Sequence, residues 1–227
     1  MTHDGTALPP TIGLPHGLAG VSQAPPVVVY SGHMLDHPTR ESPRFPPALE
    51  GAVRETLLAR LSALRPVAAY GSAACGTDLV VLELVRQLGG ETHVVLPFPP
   101  AEFRDVSVEF AGGDWPRRFE RALAVADSVT VTGDGRASDG TSSFEHANLV
   151  FTDMARRRAQ ALRTSLCAFA VLDSGAGGAA GGTAAVAALW RSHGLAFEQV
   201  DVARLRREAL PRAAETGAPV GSPRPRA

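Results

Sequence analysis

Short β-branched apolar runs alternate with helical patterns along this chain, and each run closes on small or polar residues. That alternation limits the possible folds more than any other feature. Residues 26–32 (PVVVYSG), 67–72 (VAAYGS), 91–97 (ETHVVLP), 128–133 (SVTVTG), 165–173 (SLCAFAVLD) and 196–202 (AFEQVDV) read as strands. Between them, residues 47–65 carry Leu49, Val53, Leu57, Leu61 and Leu64 on one helical face, and a helix over 76–89 stops at Gly89-Gly90. Residues 98–124 hold one or two short helices, the second opened by Trp115-Pro116, and further helices are predicted over 143–162 and 183–193. Several strands are apolar on both faces, so helices must cover the sheet on each side. The expected fold is a three-layer, Rossmann-like, doubly wound α/β domain with a mainly parallel sheet of about six strands.

Proline marks the margins. Nine of 18 prolines precede Ala48 and four follow Leu210. A residue without an N–H cannot extend a helix. Residues 1–24 are therefore expected to be a disordered lead, 25–203 the domain, and 204–227 an Arg/Pro-rich tail. The lead has no basic start followed by an apolar run, and no stretch approaches the roughly 20 apolar residues of a membrane helix, so a cytoplasmic protein is expected.

Composition removes several chemistries. All 22 basic residues are Arg, and the sequence contains no Lys. That excludes a Schiff-base lysine, a pyridoxal-phosphate lysine and the Walker A lysine. The missing Lys, with one Asn and one Ile, fits a GC-rich, bacterial coding bias. Two cysteines, Cys75 and Cys167, are too few for a disulfide scaffold or a Cys-based zinc cluster. A net charge of −1 gives no general attraction to nucleic acid or anionic membranes. Six Arg from residue 203 onward have no aromatic residue among them, so the stacking platform of a single-strand binder is missing and nucleic acid is an unlikely partner.

Ligands of doubly wound sheets sit at the carboxyl ends of the strands. Here those ends carry Ser31-Gly32-His33, then Gly71-Ser72-Ala73-Ala74-Cys75-Gly76-Thr77-Asp78, then Gly133-Asp134-Gly135, and finally residues 174–183 (SGAGGAAGGT), which include Gly182 and Thr183. Glycine permits close backbone approach, and a helix N-terminus adds partial positive charge, so such loops can cradle phosphate without Lys. Asp78 in a first helical turn suits the helix dipole; Cys75 at a helix start would have a lowered pKa, but no His lies near it in sequence to act as a base, so small-residue packing is its expected role. His33 and His37 with Asp36 offer three metal-ligand types in five residues, but Pro38 disfavours helical geometry there and no metal site is expected.

The run from Val67 to Pro97 resembles the strand–glycine loop–helix–strand core of the Lonely Guy (LOG) and DprA-related superfamily, the SLOG group of Rossmann-like nucleotide-binding domains. Ser31-Gly32 fits its first element, Gly71 to Asp78 its second and Pro97 the end of its third. Arg117, Arg118 and Arg121 precede an Ala126-Asp127 pair that opens a strand, as in the family. The resemblance covers about residues 26–202 and points to the signalling-type branch. It implies a nucleotide or nucleotide-derived ligand, a homodimer, and a sensor or accessory role with a signalling partner protein.

The sequence departs from the LOG phosphoribohydrolase signature Pro-Gly-Gly-x-Gly-Thr-x-x-Glu. After Thr132-Gly133-Asp134-Gly135 comes Ser138-Asp139-Gly140-Thr141-Ser142-Ser143-Phe144-Glu145, with no Pro and with Glu145 one residue further from the Thr. Were an N-glycosidic bond cleaved here, Glu145 or Glu83 would be the candidate catalytic carboxylate. Arg117 or Arg118 would hold a 5′-phosphate bidentately. A dinucleotide-dependent oxidoreductase is disfavoured, because the first strand ends in Ser-Gly-His without G-x-G-x-x-G and no acidic residue ends the second.

Overall fold

The computed structural model describes residues 24–134, 141–173 and 182–209. The expected lead up to residue 23, most of the tail, Gly135 and residues 174–181 lie outside the described residues. Six strands form one sheet: β1 (Val27–Gly32), β2 (Ala68–Gly71), β3 (Glu91–Leu96), β4 (Ser128–Val131), β5 (Leu166–Leu172) and β6 (Phe197–Asp201). Their order is β4-β3-β2-β1-β5-β6, and all five ladders are parallel. The architecture is the Rossmann-like one that the strand–helix alternation predicts.

Among the described residues six α-helices lie between the strands, α1 (Glu50–Leu64), α2 (Thr77–Gln87), α3 (Pro100–Ser107), α4 (Trp115–Val125), α5 (Thr141–Leu162) and α6 (Thr183–Ser192), and α7 (Val202–Ala209) follows β6. On one face of the sheet α1 buries Val53, Leu57 and Leu61 together with Leu49, α2 buries Leu79 to Val85 except Glu83, and α4 buries Phe119. They pack against Val28, Tyr30, Val94 and Phe169. On the other face α5 presents Ala147, Phe151, Ala155 and Ala159, a mostly small stripe that lets the helix lie close on Val27, Val29 and Ala68. Trp190 of α6 is fully buried on the same side, and its indole N–H donates to Thr152 Oγ1.

The chain steps outward from β1 to β4, then crosses the opposite face through α5 and resumes at β5 on the other side of β1. The direction of winding therefore reverses between β1 and β5. At such a switch point the connections leave in opposite directions, and a crevice opens beyond the strand ends.

One boundary differs from expectation. Residues 204–209, read as the start of the tail, belong to α7. Its Val202 and Ala203 are buried against the sheet, and burial overrides the charged sequence that follows. Gly-rich segments also have a packing cause. A Cβ at Gly71 would meet the Tyr30 ring at 2.5 Å, and one at Gly32 would meet the Thr77 side chain at 2.2 Å. Gly76 has φ +97°, a conformation that favours glycine, and its neighbours are the backbone atoms of His33 to Leu35. Among the described residues no helix is long and apolar enough to cross a membrane.

Candidate functional site

A cavity of about 330 Å³ occupies the crevice at the switch point. Its floor is the end of β1 (Tyr30 to His33), the turn after β2 (Ser72, Ala74) and Asp78 in the first turn of α2. Phe103 and Val106 of α3 form one wall, and Phe144, Asn148 and Phe151 of α5 another. Gly182, Thr183 and Ala184 bring the N-terminus of α6 to the site. The segment after β1 contributes Met34, Leu35, Asp36, Arg40 and Arg44 to the lining.

That segment is a loop held by its own acid. Asp36 accepts the Arg44 N–H at 2.9 Å (Oδ2) and 3.1 Å (Oδ1), and the Arg40 Nε–H at 3.1 Å. The Asp36 N–H donates to Phe45 O at 2.9 Å, and Phe45 is fully buried beneath the loop. From α7, Arg206 donates to Pro43 O and lies 3.7 Å from Asp173 Oδ2 at the end of β5. Asp36 thus holds the Arg40 guanidinium and the Arg44 backbone, and α7 holds the Pro43 carbonyl, beside the cavity.

His33 sits at the junction. The Asp173 N–H donates to His33 Nε2 at 2.9 Å, so the imidazole must carry its proton on Nδ1 and be neutral. Burial, aided by Arg44, pushes its pKa down to about 4 against the pull of Asp173 and Asp36. Its carbonyl accepts both the N–H (3.2 Å) and the hydroxyl (3.0 Å) of Thr77, which is fully buried. The start of α2 is therefore sealed against β1, and its first amide is already used by the protein.

Asp78 is the buried acid of the site, 7% exposed. Oδ2 accepts the Ala74 N–H at 3.2 Å. Desolvation pushes the carboxyl up to about 7, opposed by the N–H groups of Ala74 and Gly32. Tyr30, whose hydroxyl donates to Ser72 O at 2.8 Å, is held well above its usual value by burial and by Asp78.

Of the residues singled out from the sequence, Ser31, Gly32, His33, Ser72, Asp78, Gly182 and Thr183 line this cavity. Gly71, Ala73, Gly76 and Thr77 pack just behind it and are buried. The half-buried Gly133 follows β4 and is not among the lining residues.

The charged candidates lie elsewhere. Arg118 is buried in a separate cluster on the outer helices, donating to Glu83 Oε1 at 2.7 Å and to Glu50 Oε1 at 2.7 Å. Its guanidinium also stacks 3.8 Å over the Trp115 ring. Glu83 accepts from Arg54 at 2.8 Å as well. Both are consumed in tying α1, α2 and α4 together. Arg117 is exposed on α4, and Glu145 is exposed on α5, beside the cavity wall and not in it. Asp127 of the Ala-Asp pair accepts the Thr92 N–H at 2.8 Å and Arg86 at 2.9 Å, a tie between β3 and β4 at their amino ends.

Cys75 is fully buried, in keeping with small-residue packing, and its thiol is not lowered by the helix start: burial pushes it up to about 12. His33, Asp36 and His37 do not assemble, and among the described residues no group of three metal-ligating side chains forms. Residues the sequence did not flag include Tyr30, Arg40, Arg44, Phe103, Phe144 and Asn148. The readable signal was the acid–base spacing Asp36, Arg40, Arg44 in the loop that leaves β1, one of the two connections that border the switch point.

No protein-family model matches the chain, and no curated protein does. Among solved structures it is similar to the Moco carrier protein of Chlamydomonas reinhardtii, at 15% identity over 82% of this chain and 96% of that one, with a TM-score of 0.31. A second structure of that protein gives 16%, 82%, 98% and 0.31. DNA processing protein A (DprA) of Streptococcus pneumoniae matches at 12% identity over 81% of this chain and 61% of that one, with a TM-score of 0.35. The chain spans less than two thirds of that protein's length.

Proposed function

We propose that this protein binds a nucleotide or nucleotide-derived small anion in the switch-point cavity and acts as a sensor or signalling accessory that leaves the ligand intact. The observation that carries this reading is the cavity's mixed lining. Aromatic and aliphatic walls suit a planar ring, and Arg40, Arg44 and the α6 N-terminus, which line the same cavity, suit a phosphate. The SLOG resemblance supports the same ligand class. Arg40 and Arg44 replace Arg117 and Arg118 as the phosphate-binding pair. Hydrolysis of an N-glycosidic bond has less support, because Glu83 is held in an ion-pair cluster and Glu145 is not among the lining residues.

A thermal-shift panel tests the reading. Nucleoside 5′-monophosphates, cyclic nucleotides and NAD are each added at millimolar concentration. A ligand at about a hundred times its Kd stabilises by about 2.7 kcal/mol, roughly 5–10 °C for a domain of this size. At least one should shift the melting temperature, and chromatography should recover it unchanged. No shift with any of them rejects the reading; release of free base would favour the hydrolase.

A further inference from the structure

Every polar group of His33 but one is engaged by the protein. Its backbone N–H donates to Val171 O at 2.9 Å, and its carbonyl accepts both the N–H and the hydroxyl of Thr77. Nε2 accepts the Asp173 N–H at 2.9 Å. An imidazole nitrogen that accepts from an amide carries no proton, so the ring's single proton sits on Nδ1. Among the described residues Nδ1 meets no protein acceptor, and unlike Ser72 Oγ and Asp78 Oδ1 it is not sealed from solvent. His33 is a half-buried lining residue of the cavity. With Nε2 held at the end of β5, Nδ1–H is the one polar group that the ring can offer to the cavity.

We propose that His33 Nδ1–H donates a hydrogen bond to an acceptor atom of the bound ligand, an oxygen or a ring nitrogen. This rests on the cavity being a nucleotide site and adds a fixed, uncharged donor to it. Thr77 pins the backbone of His33 and Asp173 pins its ring, so little rotamer freedom is left to lose when the ligand arrives. An imidazolium would donate from both nitrogens and break the tie to β5; the neutral ring donates from one. Burial supports the neutral form, pushing the ring's pKa down to about 4. A single N–H of fixed direction adds orientation to the positive charge that Arg40 and Arg44 bring to the lining.

A role limited to tying β1 to β5 has different consequences. Nε2 alone makes that tie, and any acceptor in its place would serve. Two amide side chains separate the two nitrogens. The longer Gln brings its amide oxygen to the position of Nε2, which keeps the Asp173 bond and removes the Nδ1 donor. The shorter Asn brings its amide N–H to the position of Nδ1, which keeps the donor and removes the tie.

The test combines NMR of the full chain carrying isotope-labelled histidine with titration calorimetry, using AMP, GMP, CMP and UMP as probes. In the free protein the His33 ring, assigned by its contact with the Asp173 N–H, should show a protonated Nδ1 and a bare Nε2. The nucleotide that binds should move the Nδ1 resonance and slow exchange of its proton with water. His33→Gln should bind that nucleotide roughly three- to tenfold more weakly, the loss of one neutral hydrogen bond, while keeping most of the wild-type stability. His33→Asn should lose more stability and less affinity than His33→Gln. An Nδ1 resonance that the bound nucleotide leaves unmoved, or an affinity that follows stability across the two variants, would overturn the proposal and leave the cavity a nucleotide site. If wild type binds none of the four, both fall. If neither variant folds, the Nδ1 response in wild type decides.

Discussion

His33 Nε2 accepts the backbone N–H of Asp173 at 2.9 Å, joining the ends of β1 and β5 across the point where the sheet reverses its winding. The bond needs a neutral imidazole, so the geometry of the site depends on protonation. His33 is depressed to about 4 from an unfolded value of about 6.5. A base so depressed contributes stability that is present above pH 6.5 and is lost as pH falls toward 4. His33→Gln, which keeps an acceptor but cannot titrate, should lose less stability than wild type over that interval, measured by urea denaturation at each pH.

Asp78 has the opposite sign. Its carboxyl is raised from about 3.9 unfolded to about 7, so its contribution is present below pH 4 and is lost as pH rises through 7. Above pH 7 the buried anion costs up to about 3–4 kcal/mol, on the order of the shift itself. Asp78→Asn should therefore be more stable than wild type at pH 8 and no more stable at pH 4. Because His33 and Asp78 oppose each other between pH 4 and 6.5, the variant should also be the more acid-sensitive protein.

Arg118 predicts a structural loss without a functional one. Arg118→Met leaves Glu83 and Glu50 without their shared cation, and both are about 30% exposed, so the cost should be about 2 kcal/mol. Chemical denaturation should register it, and nucleotide affinity at the cavity should change less than twofold. Arg117 and Arg118 replaced together should give the same result.

Gly71→Ala places a methyl 2.5 Å from the ring of Tyr30, a residue at the cavity whose hydroxyl is anchored on Ser72 O. The expected cost is about 3 kcal/mol. Adding Tyr30→Leu should recover part of it, which a double-mutant cycle would read as coupling of at least about 1 kcal/mol.

Much of the fold was legible because its signals are local. The apolar run VVVY at 27–30, the Leu/Val face of α1 and the Trp-Pro start of α4 each announce an element within a few residues. The location of the site was also legible, since parallel strands ending in Ser-Gly-His and Gly-Ser must share an edge. What each residue does there was not. Arg118 finds Glu50 across 68 positions and Glu83 across 35. No spacing rule reaches that far, so an Arg on the expected helix looked available for phosphate. Arg40 and Arg44 lie in a Pro-rich loop without periodicity, and their placement depends on Asp36 folding that loop back. Asp78 fits the helix dipole equally well exposed or buried, and only packing reveals that it is sealed in. The glycines at 32, 71 and 76 were visible, but their first obligation is to Thr77, Tyr30 and the backbone after β1.

The most direct measurement is mass spectrometry of the small molecules released when the purified protein is denatured, compared between wild type and Arg40→Ala/Arg44→Ala. A phosphorylated nucleotide-derived species should be enriched with wild type and depleted at least tenfold with the variant. Recovery of the same species in equal amount from both, or of a bound molecule carrying no phosphate, would contradict a cavity that holds a nucleotide-derived anion through these two arginines.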